Sequence, residues 1–282
     1  MNVINDNRTC NNKEYITDRG SCPEKNPLLL GESTFLLPRV FPSIWRPIEQ
    51  DLREAFSQLE RDLRPVGCHL LKQLLHPSDY EYLLSPGLVL YSGRFFSKSC
   101  EQYLPALFLE LTYLGMEFHD RAGDLGLRKE KQMLILTGDF LCSHLFNLVN
   151  KYKQRFLLEI FADLITAMSE GLAMREAYKI RKKDPNKKES EEWLYKQYGV
   201  FYGEACSLGG LFAGANTQDQ ALLREFGTAF GIAYGAYKNQ CSLLSVDEYL
   251  DKGLEKLSQL SNSPEKNELI SFVQGVFATG SE

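Results

Sequence analysis

The sequence has little from which to build a centre of soft metal ligands. Its four histidines are scattered, and its seven cysteines, at positions 10, 22, 68, 100, 142, 206 and 241, form no Cys-x-x-Cys pair. The common zinc spacings are therefore excluded. An odd number of thiols, five of them in apolar surroundings, reads as small core residues in a reducing compartment. Excess positive charge is missing too, with 32 Lys and Arg against 37 Asp and Glu for a formal net charge of -5. That balance argues against nucleic acid as the main partner. No apolar run reaches the roughly 20 residues that cross a bilayer, so no transmembrane segment is expected. The opening MNVINDNRTCNNKEYITDRGSC lacks the basic and apolar regions of an export signal. These absences point to a cytoplasmic protein. Strand-like alternation does not persist anywhere long enough to make a sheet.

What is present is apolar content at helical spacing. Hydrophobic residues make up 44% of the 282, aromatics 12%, enough for a sizeable core. Residues 1–44 are polar, then turn-rich around Pro38 and Pro42, and are expected to form a loosely ordered leader. Residues 45–282 read as a single helical domain. Helical spacing begins at Pro47, with short helices expected over 66–75 and 80–84 and a break at Ser85-Pro86-Gly87. Longer helices follow over 88–96, 101–123, 129–152 and 156–181, then a charged loop over 182–190, then helices over 191–216, 218–240, 246–260 and 264–277. The basic run Lys179–Lys188 reads as a solvated helix end and loop. The fold class is all-α.

The chain is organised around Leu111–Asp124, LTYLGMEFHDRAGD, an apolar run that ends in two carboxylates. Asp120 and Asp124 are four apart, so on a helix they leave one face a turn apart. Such a pair can share a divalent cation, which wants several oxygens in a small space. It can equally be solvated surface.

Further segments follow in a distinctive order: LILTGDFLCSHLF, ITAMSEGLAMREAY, YGVFYGEACSLGGLFAGA and FGTAFGIAYGAYKNQCS. Together with the first, they resemble the trans-type polyprenyl diphosphate synthase family over about residues 84–245. The resemblance implies a bundle of long helices around a central apolar cavity. It also implies magnesium held by two DDxxD motifs, and condensation of isopentenyl diphosphate onto an allylic diphosphate through a carbocation.

Against that pattern the motifs are degenerate. The first retains Asp120 and Asp124 with Arg121 between them, and the second reads Lys238, Asn239 and Ser242. A cation among the carboxylates repels a divalent ion and competes for its ligands, so magnesium at Asp120 and Asp124, with Glu170 nearby, is expected to be weakened. The GGKRxRP signature has no counterpart near Ser85–Arg94, and the KT pair reads Gln197-Tyr198 with Lys196 one place away. By resemblance, diphosphate contacts fall to Arg121, Arg128, Lys129, Lys196 and Lys238. Gly115 and Met116 stand where bulky aromatics stop the growing chain in this family. Gly115 is either an open cavity floor or a point of close helix packing. The resemblance leaves two main readings, beside a weaker one of a carrier or sensor that binds an isoprenoid without changing it. One is a catalytically impaired or regulatory subunit of a heteromeric prenyl diphosphate synthase. The other is an active prenyltransferase or terpene-cyclase-like enzyme that ionises one allylic diphosphate. Both imply an isoprenoid diphosphate or its tail as ligand, and a homodimer or a heterodimer with a conventional synthase.

Overall fold

The computed structural model describes residues 37–38, 41–75, 81–96, 103–124, 128–182 and 184–278, though not the side chains of 64–68, 70, 73, 124 and 128. The described residues form ten α-helices and no strand: α1 (Glu49–Leu74), α2 (Leu84–Arg94), α3 (Tyr103–Asp124), α4 (Arg128–Lys151), α5 (Leu157–Arg181), α6 (Lys187–Leu194), α7 (Val200–Phe212), α8 (Thr217–Lys238), α9 (Val246–Ser258) and α10 (Pro264–Ala278). The all-α class follows.

Helix starts are written in local side chains. Asn186 accepts from the Glu189 amide while Glu189 reaches back to the Asn186 amide, a reciprocal cap that starts α6. Asn216 and Ser245 cap α8 and α9 in the same position. The loop expected over 182–190 is therefore shorter, because the Asn186 cap begins a helix inside it. The helix expected over 191–216 is likewise interrupted by a π-turn, Tyr195–Gly199, between α6 and α7. Ser85-Pro86-Gly87 does not break the chain. Pro86 lies in the first turn of α2, where a proline has no intrahelical bond to lose. Gly87 lets Trp45 approach, since a Cβ there would stand 2.8 Å from the indole ring. The two helices expected on either side of residue 65 are one, α1.

At the centre lies α3, buried almost continuously from Leu104 to Met116. It packs on α1, α2 and α4, while α8 packs on α7 and α9. A 3₁₀ turn, Ser43–Ile48, buries Trp45 and Ile48 ahead of α1. Leu37 and Phe41 join the same core, so packing begins before residue 45. Burial pushes the Cys206 thiol up to about 12 and, with the nearby Asp139 carboxylate, that of Cys142 to about 11. Cys206 is a core residue and Cys142 is half-buried, and neither thiol is activated as a nucleophile.

Polar ties hold the outer helices. Asp62 on α1 accepts from Lys151, from the Tyr152 hydroxyl at 2.7 Å and from Gln58 at 3.1 Å, which binds α1 to the end of α4. The buried Lys266 ammonium donates to the carbonyls of Leu260 at 2.9 Å and Ser258 at 3.2 Å. It thereby caps α9 with a positive charge at the negative end of the helix dipole. One helix, Lys129–Lys151, is long and apolar enough to cross a bilayer by length and composition, contrary to the expectation that no run is. It reaches that level because its charges gather at the two ends, Lys129, Glu130 and Lys131 at one and Lys151 at the other, with only Asp139 between them, and in the bundle it lies along α3.

Backbones approach most closely where glycine replaces a side chain. A Cβ on Gly231 would fall on the Tyr198 carbonyl, one on Gly227 on that of Tyr202, and one on Gly209 on that of Val89. Gly123, near the exposed end of α3, faces open space. Opposite signs follow for the same substitution. Gly231→Ala is expected to destabilise by about 1–3 kcal/mol through overpacking, despite its gain in helix propensity. Gly123→Ala is expected to stabilise by about 0.5–1 kcal/mol. Urea unfolding of the two variants measures both.

Candidate functional site

The end of α3 supplies one face of the site. Tyr113, Met116, Glu117 and Asp120 recur at helical spacing, so their side chains line one side. Opposite stand α5, the π-turn and the end of α8. Gly171 on α5 permits this meeting, because a Cβ there would lie 2.6 Å from the Gln197 amide nitrogen. The wider turn carries Gln197 and Tyr198 inward.

Two ion-pair clusters occupy the mouth. Arg175 on α5 donates to Asp120, to Asn239 Oδ1 at 3.2 Å and to Glu176 at 3.2 Å. Gln197 Nε2 stands 3.4 Å from the other Asp120 oxygen. Asn239 in turn donates to the Tyr198 hydroxyl at 3.1 Å and to the Gly235 carbonyl at 2.8 Å. Beside them Lys238 donates to Glu81 at 2.8 Å and Glu117 at 3.2 Å. Its ammonium lies 6.0 Å over the Tyr113 ring. Burial by itself would lower the Lys238 pKa, but Glu117, with Tyr234, Tyr198 and Glu81, outweighs it and holds the ammonium well above its ordinary value. Arg175 follows the same logic: desolvation is overcome by its hydrogen bond and charge interaction with Asp120.

Beneath the ion pairs the interior is full. A cavity of about 20 Å³ remains, lined by Met116, Met168, Leu172, Tyr198, Phe201 and Tyr202. That is room for about one water molecule, where a small-molecule site typically offers about 300 Å³ or more. Aromatic rings take the space. Tyr113 meets Phe201 at 5.9 Å between centroids, and Tyr202 meets Phe201, Phe230 and Tyr234 at 5.1, 5.3 and 5.5 Å. The apolar lining expected from the sequence is there, but it closes on itself.

Asp120, Lys238 and Met116 are brought to this site; other residues singled out from the sequence are not. Arg121 is exposed and turns to α1, donating to the Leu74 carbonyl at 3.1 Å with its guanidinium 5.6 Å over the Phe118 ring. It caps α1 rather than facing Asp120. Lys196 pairs with Glu170 on the outside, which removes Glu170 from Asp120. Lys129 is exposed on the first turn of α4. A Cβ on Gly115 would meet Cys142 Sγ at 2.7 Å, so Gly115 serves close packing of α3 on α4. The side chains of Asp124 and Arg128 lie outside the described residues. Among the described residues no three from His, Cys, Asp and Glu stand together as a metal site. Asp120 and Glu117 already face fixed cations, and these residues do not fit the magnesium cluster that the resemblance implies.

Arg175, Glu81 and Glu117 were not singled out by sequence reasoning. Glu117 was findable, being three residues from Asp120 on the same face. Arg175 stands four after Gly171, on the side of α5 that meets the π-turn. The partnership with Glu81 spans 157 residues and leaves no local mark.

Two turns deeper on α3 is Glu110, 1% exposed. Burial raises its carboxyl well above the ordinary range, with the Ser85 hydroxyl offsetting part of the effect. Its folded pKa exceeds the unfolded one, so its contribution to stability is fully present below about pH 4.3 and is lost as pH rises toward the folded pKa. Glu110→Gln is therefore expected to raise the melting temperature at neutral pH, with the gain shrinking as the melting buffer approaches pH 4. Arg175→Ala leaves the Asp120 carboxylate without its guanidinium and is expected to cost about 3 kcal/mol. Adding Asp120→Leu should recover part of that, a coupling that a double-mutant cycle reads directly.

Known proteins share this architecture. The chain superposes on a decaprenyl diphosphate synthase from Rhodobacter capsulatus with a TM-score of 0.71 at 13% identity, covering 85% of this chain and 99% of that one. A geranylgeranyl pyrophosphate synthase from Corynebacterium glutamicum gives 0.69 at 19% identity, covering 86% and 95%. The mint heterotetrameric geranyl pyrophosphate synthase, as a deletion mutant with ligands, gives 0.64 at 18%, covering 83% and 99%. By sequence the chain is 28% identical over 123 residues to a geranylgeranyl diphosphate synthase of Methanosarcina mazei, 42% of this chain and 38% of that protein. It is 27% identical over 124 residues to a short chain isoprenyl diphosphate synthase of Methanothermobacter thermautotrophicus, again 38% of its length. The aligned stretch thus spans well under half of these curated relatives. Residues 128–254 match the polyprenyl synthetase family model, and over that stretch and in its helical architecture this chain is similar to the polyprenyl synthetases.

Proposed function

We propose that this chain is a catalytically impaired, regulatory subunit of a heteromeric prenyl diphosphate synthase, acting in isoprenoid biosynthesis through a conventional partner. The observation that carries the reading is the state of the mouth. Asp120 is held by Arg175, Lys238 is held by Glu117 and Glu81, and the well below has room for little more than a water. A diphosphate would have to break ion pairs to reach either cation, and an isoprenoid tail would have to displace several packed aromatic rings. The guanidinium fixed beside Asp120 neutralises that carboxylate without an ion, which supports weakened magnesium binding there.

The outside of α4 supports a subunit role. Met133, Leu136 and Phe140 share one helical face, and Leu136 is 66% exposed. An apolar face of this kind suits association with a second helical chain. The mint geranyl pyrophosphate synthase, which has the same fold, is a heterotetramer.

The test is product formation with magnesium, an allylic diphosphate and isopentenyl diphosphate. The purified chain alone is expected to yield neither elongated diphosphate nor hydrocarbon. With a conventional synthase from the same cell it is expected to co-elute and to change product yield or length. Leu136→Glu is expected to reduce the co-eluting fraction at least about tenfold with unchanged melting temperature. Product from the chain alone would overturn the reading.

A further inference from the structure

The basic run at the end of α5 does more than finish a helix. Lys179, Arg181, Lys182, Lys187 and Lys188 are all exposed, with Asp184 among them. Stability accounts for only part of this. Cations on the last turn of α5 and at its cap complement the negative end of that helix dipole. Lys187 and Lys188, however, occupy the first turn of α6, at the positive end of its dipole, where cations are disfavoured. Helix stability would have placed acids there. In the middle of the cations stands Ile180, 81% exposed, the highest value among the exposed large hydrophobics of the described residues.

Lys182 closes α5 in the left-handed conformation, with φ 51°. Five residues later, at Lys187, α6 begins, and it packs against α5. The stretch is Lys-rich and carries one highly exposed aliphatic side chain. Protein interfaces are depleted in Lys and favour aromatic and Arg anchors, and phosphate recognition in nucleic acids draws on Arg forks. An exposed aliphatic side chain among long amines suits the lipid headgroup layer instead: the apolar side chain enters and the amines extend to phosphates.

We propose that the turn joining α5 to α6 docks on an anionic phospholipid surface, with Ile180 entering the headgroup layer and Arg181, Lys182, Lys187 and Lys188 facing lipid phosphates, while Lys179 is paired with Glu176. A cation held near such a surface strengthens binding about fivefold at low salt, and the gain fades as the Debye length falls to about 8 Å near physiological ionic strength. The docked end is also the mouth end. Ile180 lies five residues beyond Arg175, about 7.5 Å along the helix axis, so docking would turn the mouth toward the membrane. The inference stands independently of the subunit reading.

Flotation of the full chain with vesicles tests it. Binding is expected to vesicles of phosphatidylcholine with about 30% phosphatidylserine and not to phosphatidylcholine alone, and to weaken as salt is raised. The double substitution Lys187→Glu and Lys188→Glu is expected to weaken binding at least about tenfold. The melting temperature of that variant should not fall, because acids suit the start of α6; this separates docking from folding. Ile180→Asp should weaken binding at low salt as well. Equal binding to neutral vesicles, no binding to either, or full binding by both variants would overturn the proposal. So would tighter retention on RNA than on vesicles, which would assign the patch to nucleic acid.

Discussion

Everything in this bundle depends on how closely α7 approaches its neighbours. Gly209 lies against the backbone of Val89 in α2, and Gly227 and Gly231 in α8 lie against the backbone carbonyls of Tyr202 and Tyr198. With no side chain between them, the elements touch main chain to main chain, and close-packed interiors transmit such fixed spacings rather than absorb them. The same contacts decide where Tyr198, Phe201 and Tyr202 point. The filled centre is thus a result of helix spacing as much as of side-chain size.

At the mouth, charge is balanced within the protein. Here a guanidinium and an ammonium carried by the chain sit beside Asp120, Glu117 and Glu81. Internal pairs of this kind satisfy the carboxylates without an ion drawn from solution.

The fold was legible because it is written locally. Helical spacing marked α3 as central, and Asn186, Asn216 and Ser245 mark helix starts that a reader of sequence can find. The misreadings came where tertiary contacts override punctuation, as at Ser85-Pro86-Gly87, which starts a helix instead of breaking one. The site was half legible. Asp120 and Lys238 came from the motif order, whereas their actual partners, Arg175, Glu117 and Glu81, sit on faces whose meeting depends on the glycine contacts. Arg121 misled because adjacency in sequence to Asp120 puts it about 100° around the helix, facing α1. Gly115 misled for a related reason: a glycine shows that something comes close, and only the packing shows that it is α4.

The π-turn from Tyr195 to Gly199 has a consequence for how such a site can change. One additional residue in that turn separates the helical register of α6 from that of α7. The face that α6 turns to α5 is therefore not locked to the face that α7 turns to α8. Gln197 and Tyr198 sit at the slip point between the two. Substitution of the Gln197 side chain can alter what meets Asp120 while the contacts of Gly209 with Val89 and of Gly227 with Tyr202 stay in place, so the chain keeps a mechanical clutch beside Asp120.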